Sequence, residues 1–285
     1  MSELEVGVQA EAQRPGQSFV QKFVDVAGVR VGYWEAGEGS PVLMLPGSAG
    51  LDFSIAMDLL AQHFRVLAMD PPGWGHAPNE GQAMTRAALA EQMAGAASAI
   101  GLSSYAVIGT SMGCSVALLM ALEYPDQVRA VVLDGATEFR GNGHTPQGDP
   151  RAGSGAGFGS GVRKHADRRP WVNKAFLEDQ WRRRVRLFES GYERGPLYDE
   201  ALAERCKTLQ PPVLVMYGSD DGLIFPSCGR EYKALIPNCD FVMVYDANHD
   251  IQADRPEAYA ELVTDFLTRG SPAFLFSARS GVLNR

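Results

Sequence analysis

A serine between two glycines is the strongest chemical signal in the chain. The segment Gly109–Gly113 reads GTSMG, which fits the pattern G-x-S-x-G, and it stands between a short apolar run and a longer helical one. The glycines suit a sharp turn that holds the serine in strained backbone geometry. The helix that follows would direct free amides towards Ser111, where they favour an oxyanion. The pattern predicts a serine nucleophile that attacks a carbonyl carbon.

A serine nucleophile requires a base and an acid elsewhere in the chain. Serine is weakly nucleophilic at neutral pH, so an imidazole must accept its proton and a carboxylate must hold that imidazole. Of the five histidines, His249 follows a strand-like run and precedes the last helical run. Asp220 and Asp221 follow another strand-like run, 213–217, which places them at the same edge of a sheet. We therefore predict His249 as the base and Asp221 as the acid.

Short apolar runs that alternate with helical runs must position these residues. The first two apolar runs form a predicted hairpin, and the others have the continuous apolar character of strands buried in a parallel sheet. Strands separated by helices predict an α/β fold with a doubly wound, mostly parallel sheet of eight strands. The predicted strands are Phe19–Val26, Val29–Glu35, Pro41–Leu45, Phe64–Met69, Tyr105–Ile108, Val128–Leu133, Val213–Tyr217 and Phe241–Tyr245, and the clearest predicted helices are Thr85–Ile100, Ser111–Tyr124 and Pro256–Leu267.

In this order, the motifs resemble the α/β-hydrolase superfamily over about residues 20–270. Leu45–Gly50 (LPGSAG) is similar to the oxyanion loop of that family, and Asp70–Gly75 (DPPGWG) is similar to its D-x-P-G-x-G turn. Gly218–Pro226 resembles its acid loop, and the order Ser, Asp, His matches as well. The resemblance implies the α/β-hydrolase fold.

The resemblance also implies roles for individual residues. The family acid stands three residues after the glycine of the acid loop, which selects Asp221 over Asp220. The backbone N–H groups of Ser48 and Met112 are expected to form the oxyanion hole. Some members take the acid from the end of the strand that follows the nucleophile helix, and Asp134 is the alternative acid on that pattern.

One departure from the family pattern affects the oxyanion loop. The family usually has a histidine before the first glycine of this loop, whereas this chain has Pro46. Proline has no backbone N–H and a fixed φ. The bracing of the loop therefore does not follow from the resemblance.

A long segment interrupts the alternation of strands and helices and divides the chain into parts. We predict a disordered tail over residues 1–18, a hydrolase core over 19–137 and 211–270, an insertion over 138–210 and a second tail over 271–285. The insertion has eight glycines between Gly141 and Gly161, which predicts a mobile loop, followed by a helical stretch. In the family this position holds a small helical cap that covers the active site and selects the substrate.

The insertion is basic although the chain is acidic. Between Arg163 and Arg186 there are nine Lys or Arg and three Asp or Glu, a local charge of +6 in a chain of net charge −8. One interpretation is attraction of an anionic substrate, and the other is a helix face whose charges point to water.

Composition excludes several other functions. The net charge of −8 argues against nucleic-acid binding, and no run of about 18 apolar residues predicts a membrane span. Four cysteines without CxxC spacing predict neither a disulfide framework nor a metal site, and the acidic start lacks the features of a signal peptide. We expect a cytoplasmic enzyme that needs no cofactor or metal, and the sequence leaves self-association open.

These features together predict a serine hydrolase of a small molecule. We expect cleavage of an ester or lactone through an acyl-enzyme on Ser111. Hydrolytic C–C cleavage of a vinylogous diketone, as in meta-cleavage-product hydrolases, is the next candidate. A non-hydrolytic enzyme of the same fold, such as a perhydrolase or lyase, and a ligand receptor with slow turnover are the remaining alternatives.

Overall fold

A computed structural model describes residues 14–79, 81, 84–140, 172–193 and 195–269 of the chain. Its eight-stranded sheet has the order β1-β2-β4-β3-β5-β6-β7-β8. The β1–β2 and β2–β4 pairs are antiparallel and the other pairs are parallel, which confirms the predicted architecture. The strands are β1 (Val20–Val26), β2 (Val29–Ala36), β3 (Pro41–Leu45), β4 (Arg65–Asp70), β5 (Tyr105–Thr110), β6 (Val128–Asp134), β7 (Val213–Gly218) and β8 (Cys239–Val244).

Helices cover both faces of this sheet. Successive residues of a strand point to opposite faces, so Leu43 packs in one hydrophobic cluster with α2 and α3, whereas Val42 packs in a second cluster with α1 and α8. Residues of β5, β6 and β7 alternate between the two clusters in the same way. The helices are α1 (Ile55–Leu60), α2 (Arg86–Ala99), α3 (Gly113–Glu123), α4 (Lys174–Glu189), α5 (Glu200–Cys206), α6 (Gly229–Leu235), α7 (Ile251–Asp254) and α8 (Pro256–Arg269).

The strand order brings the predicted site residues to one edge of the sheet. β3 lies between β4 and β5, so the loops that follow β3 and β5 leave the sheet side by side and in opposite directions. Ligands of open α/β sheets bind at such a switch point, beyond the carboxyl ends of the strands. The loops after β6, β7 and β8 reach the same edge because these strands are parallel to β5.

Several predicted boundaries differ from the observed ones by a few residues, and two of the differences have a clear structural reason. The helix predicted from Ser111 begins at Gly113, because Ser111 has a left-handed φ of +51° that no helical residue adopts. The predicted disordered tail ends too late, because residues 14–18 include a turn in which the Gly16 N–H donates to the Asp58 carboxylate on α1 at 3.0 and 3.1 Å. Residues 1–13, the glycine-rich segment 141–161 and the tail 271–285 lie outside the described residues.

The described part of the insertion contributes α4 and α5, between β6 and β7. The Asn173 side chain caps α4 by accepting a hydrogen bond from the Phe176 N–H at 3.0 Å. Behind this helix, the ring of Tyr192 packs on the ring of Trp74, with 5.5 Å between their centroids. The Tyr192 contact and the hydrogen bonds of Gln180 and Arg183 to Asp52 and Ala49 hold α4 over the loops that follow β3 and β4.

Candidate active site

Ser111 lies in a sharp turn between β5 and α3. Its N–H donates to the Asp134 carbonyl at 2.7 Å, and its φ of +51° confirms the strained geometry predicted from the sequence. A Cβ on Gly109 would lie 2.6 Å from the Gly113 carbonyl oxygen, and one on Gly113 would lie 2.7 Å from the Pro46 carbonyl oxygen. Both flanking glycines are therefore sterically required.

The structure brings Ser111, His249 and Asp221 together, as the sequence predicts for their loops. The Ser111 Oγ is 3.0 Å from His249 Nε2, and His249 Nδ1 is 2.8 Å from Asp221 Oδ2. The carboxylate accepts at Nδ1, so Nδ1 carries a proton and Nε2 of the neutral ring can accept the proton of the serine hydroxyl. All three residues are at least nine-tenths buried.

Backbone contacts hold the acid and the base of this group in place. Asp221 Oδ1 accepts hydrogen bonds from the N–H groups of Leu223 and Ile224 at 2.8 and 2.9 Å, which leaves Oδ2 directed at the imidazole. A Cβ on Gly135 would lie 2.8 Å from His249 Cε1, so this glycine makes room for the ring. Glycine also accepts the positive φ of +63° at this position.

Two opposing effects set the pKa of the His249 imidazole. Burial alone would lower this pKa, but the Asp221 carboxylate raises it through its charge and its hydrogen bond, and Asp134 and Asp250 add to the increase. The balance raises the pKa of His249 above its ordinary value of 6.5. The imidazole therefore holds a proton more strongly than a free histidine does, which suits a general base.

The alternative acid, Asp134, lies behind the serine and not at the imidazole Nδ1. It is fully buried, and its Oδ2 accepts a hydrogen bond from Gln252 Nε2 at 3.0 Å. Its Oδ1 has no hydrogen-bond partner among the residues that the structure describes. Burial raises the pKa of the Asp134 carboxyl to about 7, although the Gln252 hydrogen bond opposes the increase. The partner of His249 Nδ1 is Asp221.

Gln252, which the sequence analysis missed, links the loops around the serine. Its Nε2 donates to Thr110 Oγ1 at 2.8 Å as well as to Asp134, and its Oε1 accepts from Ser54 Oγ at 3.3 Å. Gln252 follows His249 by three residues, so this network ties the histidine loop to the ends of β5 and β6. Its position just after His249 is the only sequence signal for this role.

The two predicted oxyanion-hole residues lie beside the serine. The β3–α1 loop, residues 46–54, passes so close that a Cβ on Gly47 would lie 3.4 Å from the Ser111 Cβ. Met112 immediately precedes the first residue of α3. Within the described ranges, the backbone N–H groups of Ser48 and Met112 donate to no protein acceptor, so both amides are available to an oxyanion.

A cavity opens in front of Ser111 between this loop and α4. Its walls include the β3–α1 loop, the loop that carries His249, and the α4 residues Phe176, Gln180 and Arg184. Arg184 Nε donates to Ser48 Oγ at 3.0 Å, which places a guanidinium at the cavity wall. Burial lowers the pKa of this guanidinium, and the neighbouring Arg183 adds to the effect.

The arginines of α4 do not share one environment. Neither attraction of an anionic substrate nor a helix face that points to water describes all of them. Arg182 is exposed, with 67% of its side-chain area accessible, whereas the Arg183 side chain is 2% accessible. Arg184 faces the cavity. Basic residues between 163 and 171 lie outside the described residues.

The described residues also bear on two other classes of function, metal binding and membrane insertion. They contain no group of three or more His, Cys, Asp or Glu side chains arranged to hold a metal ion. None of the helices described has the length and apolar character to cross a bilayer.

Comparison with known proteins identifies the family. Residues 40–256, more than half of the chain, match the family model for the alpha/beta hydrolase fold. This chain is an α/β hydrolase. The expected superfamily is thus confirmed, and the site above lies within the matched residues.

This α/β hydrolase is similar to several characterised proteins at low identity. It is 23% identical to the 2-hydroxy-6-oxo-6-(2'-aminophenyl)hexa-2,4-dienoic acid hydrolase of Metapseudomonas resinovorans, over 90% of this chain and 94% of that protein. It is 26% identical to the 2-hydroxy-6-oxononadienedioate/2-hydroxy-6-oxononatrienedioate hydrolase of Burkholderia vietnamiensis, over 89% of this chain and 97% of that protein. Both relatives are named as hydrolases of oxo-dienoic or related acids.

Solved structures share the fold of this α/β hydrolase. A serine hydrolase involved in carbazole degradation has a TM-score of 0.70 at 22% identity, over 88% of this chain and 99% of that one. A carboxylesterase of Bacillus subtilis has a TM-score of 0.69 at 22% identity, over 88% and 92% of the two chains. Identities this low establish the fold alone.

Proposed function

We propose that this α/β hydrolase cleaves a carbonyl compound through a covalent acyl-enzyme on Ser111. The observation that carries the proposal is the unbroken hydrogen-bonded series from Ser111 Oγ through His249 to Asp221, with distances of 3.0 and 2.8 Å, at the wall of a cavity. A serine is activated in this way in serine hydrolases on several unrelated folds.

The proposed reaction has two stages that use His249 in both directions. Ser111 Oγ attacks the carbonyl carbon while His249 Nε2 accepts the hydroxyl proton. The tetrahedral oxyanion accepts hydrogen bonds from the N–H groups of Ser48 and Met112, each of which contributes about 3 kcal/mol of transition-state stabilisation. His249 then gives its proton to the leaving group, and the acyl-enzyme remains. A water molecule loses a proton to His249, attacks the acyl carbon and releases the acid with Ser111 restored.

The substrate class that we favour is an ester or lactone with a carboxylate. An ester or lactone needs only the groups above, because its leaving oxygen takes the proton from His249. The Arg184 guanidinium, which donates to Ser48 Oγ at the cavity wall, brings positive charge into the cavity and so supports a substrate that carries a carboxylate. The Ser48 side chain that it contacts neighbours the proposed oxyanion site.

Hydrolytic C–C cleavage is the second candidate, and the named relatives support it. The two curated relatives above are hydrolases of oxo-dienoic or related acids that match this chain over about nine-tenths of its length. In that reaction Ser111 would attack the ketone of a vinylogous diketone. The bond to the neighbouring carbon would break, and that carbon would take the proton.

The proposal also assigns a role to the insertion. We propose that residues 138–210 act as a cap, because α4 forms one wall of the cavity. Cytoplasmic location remains a prediction.

Active-site labelling tests the proposed nucleophile. A fluorophosphonate probe should label the wild type, and peptide mapping should place the adduct at Ser111. Ser111→Ala should abolish labelling and lower kcat by at least about 10⁴-fold with an unchanged circular dichroism spectrum. Ser103→Ala is the matched control, because Ser103 is an exposed serine that precedes β5, at the opposite end of the strand from Ser111. Labelling that survives in Ser111→Ala would reject the proposal.

A substrate panel then separates the candidate reactions. Esters, lactones and 2-hydroxy-6-oxo-dienoates should be offered with and without a carboxylate. Turnover of at least about one per second identifies an enzyme substrate. Capture of one ligand per protein without turnover would favour a receptor, and acyl transfer to peroxide in preference to water would favour a perhydrolase.

A further inference from the structure

Several side chains of the insertion donate hydrogen bonds to the β3–α1 loop. Pro46, at its start, has no N–H to donate, and the hydrogen bond from the Gly50 N–H to the Gly47 carbonyl at 2.9 Å lies within the loop itself. The strongest contacts that reach the loop from elsewhere come from one side chain of α4, Arg183. If Ser48 has the role proposed above, its position depends on these contacts.

Arg183 binds the loop with both ends of its guanidinium fork. Nη1 donates to the Ala49 carbonyl at 2.5 Å and to the Leu51 carbonyl at 3.5 Å. Nη2 donates to the two carboxylate oxygens of Asp52 at 2.8 and 3.1 Å. The Ala49 carbonyl is only two peptide units from the Ser48 N–H. The guanidinium therefore fixes the backbone next to the proposed oxyanion donor.

The surroundings of Arg183 make this contact rigid. Its side chain is 2% accessible, and its Nε donates to Asp179 on the preceding turn of α4 at 2.9 Å. Asp52 accepts a further hydrogen bond from Gln180 Nε2 at 2.7 Å. A buried guanidinium with two carboxylates and carbonyl acceptors has few alternative positions, because each shift would leave a buried charge unpaired.

We propose that Arg183 is a positioning residue, through which helix α4 sets the geometry of the oxyanion hole. Helix α4 also lines the cavity with Phe176, Gln180 and Arg184. Contacts between substrate and α4 would thus be transmitted to the Ser48 amide through Arg183. This inference rests on the proposed function for its catalytic consequence, but the bracing of the loop can be measured without any substrate.

The test compares Arg183→Gln and Arg183→Lys with a matched control, Arg182→Gln. Arg182 is the neighbouring residue, carries the same charge and is exposed. Within the described residues its ion pair is with Asp179 at 4.0 Å and not with the loop, so its replacement changes the charge but not the loop contacts. Hydrogen exchange of peptides covering residues 46–54 measures the bracing. Inhibition by a boronic acid, which forms a tetrahedral adduct on a serine, measures the oxyanion site.

Arg183→Gln should affect the loop and the chemical step together. Exchange of the loop amides should accelerate at least about tenfold, and kcat should fall about 10²-fold, as when an oxyanion donor is lost. KM should stay within about threefold, and boronate affinity should fall in proportion to kcat. Arg183→Lys keeps the charge but not the fork, so it should restore part of kcat. Arg182→Gln should match the wild type.

Several results would overturn the inference. Unchanged loop exchange in Arg183→Gln would reject the bracing, and an unchanged kcat and boronate affinity with faster exchange would reject its catalytic role. An equal loss in Arg182→Gln would assign the effect to charge alone. If neither Arg183 variant folds, Asp52→Asn replaces them, and it must accelerate loop exchange and lower kcat for the inference to stand. Full turnover in Ser111→Ala would instead reject the proposed function, while the exchange measurement would still decide the bracing.

Discussion

Replacing Asp134 with asparagine should make the protein more stable, and increasingly so as the pH rises. The Asp134 carboxyl is fully buried, and burial raises its pKa from an ordinary value of 3.8 to about 7. The folded protein therefore retains a proton that the unfolded chain loses between these two values, so the stability of the wild type falls as pH rises from about 4 to about 7. Asparagine has nearly the same shape, carries no charge and can still accept the hydrogen bond from Gln252.

The size of the gain in stability follows from the shift in the pKa of the Asp134 carboxyl. A pKa shift of about three units destabilises the folded wild type by about 4 kcal/mol at pH 8 and by about 1.5 kcal/mol at pH 5. Urea denaturation of the wild type and Asp134→Asn at both pH values should thus show an advantage that grows by about 2.5 kcal/mol. Asp126→Asn, at an exposed carboxyl, is the control and should change stability by less than about 0.5 kcal/mol. An advantage that stays constant with pH, or a less stable Asp134→Asn at pH 8, would refute this reasoning.

Three further predictions concern catalysis. Asp221→Asn should lower kcat about 10⁴-fold because it disturbs the tautomer of His249, whereas the kcat of Asp134→Asn should stay within about tenfold of the wild type. Steady-state kinetics in which Asp134→Asn has the larger loss of kcat would make Asp134 the acid. The pH profile of kcat/KM should rise as the imidazole loses its proton, with a midpoint above 6.5 because the pKa of His249 is raised, and a flat profile from pH 5 to 9 would contradict this. Arg184→Met should raise KM about 10- to 100-fold for carboxylate-bearing substrates, from the loss of a charged hydrogen bond, but not for neutral esters; equal effects on both would exclude the proposed contact.

The three residues of the hydrogen-bonded series were predictable because sheet topology determines where their loops emerge. Ser111, Asp221 and His249 each follow a strand of one parallel group, so their loops reach the same edge whatever the loop sequences are. The glycines around the serine added a steric requirement that can be read directly from the sequence. These signals are local or depend only on strand order.

The contacts of the insertion were not predictable in the same way. Successive residues of a helix point about 100° apart, so Arg182, Arg183 and Arg184 have three different environments although they form one basic run. Which of them is buried depends on how α4 packs on the β3–α1 loop, which lies more than 120 residues away in sequence. Gln252 was missed for a similar reason, because its partners Thr110 and Asp134 lie at the ends of β5 and β6, more than 100 residues away in sequence.

Rapid quenching of the reaction with a chromogenic ester tests whether Ser111 forms an acyl-enzyme during turnover. Under conditions that make deacylation slower than acylation, we expect a burst of about one equivalent of the alcohol per active site. The protein mass should increase by the acyl group, on the peptide that contains Ser111. The same experiment with Ser111→Ala should give neither the burst nor the adduct. Turnover by the wild type without any acylated Ser111, under conditions that slow deacylation, would contradict the account.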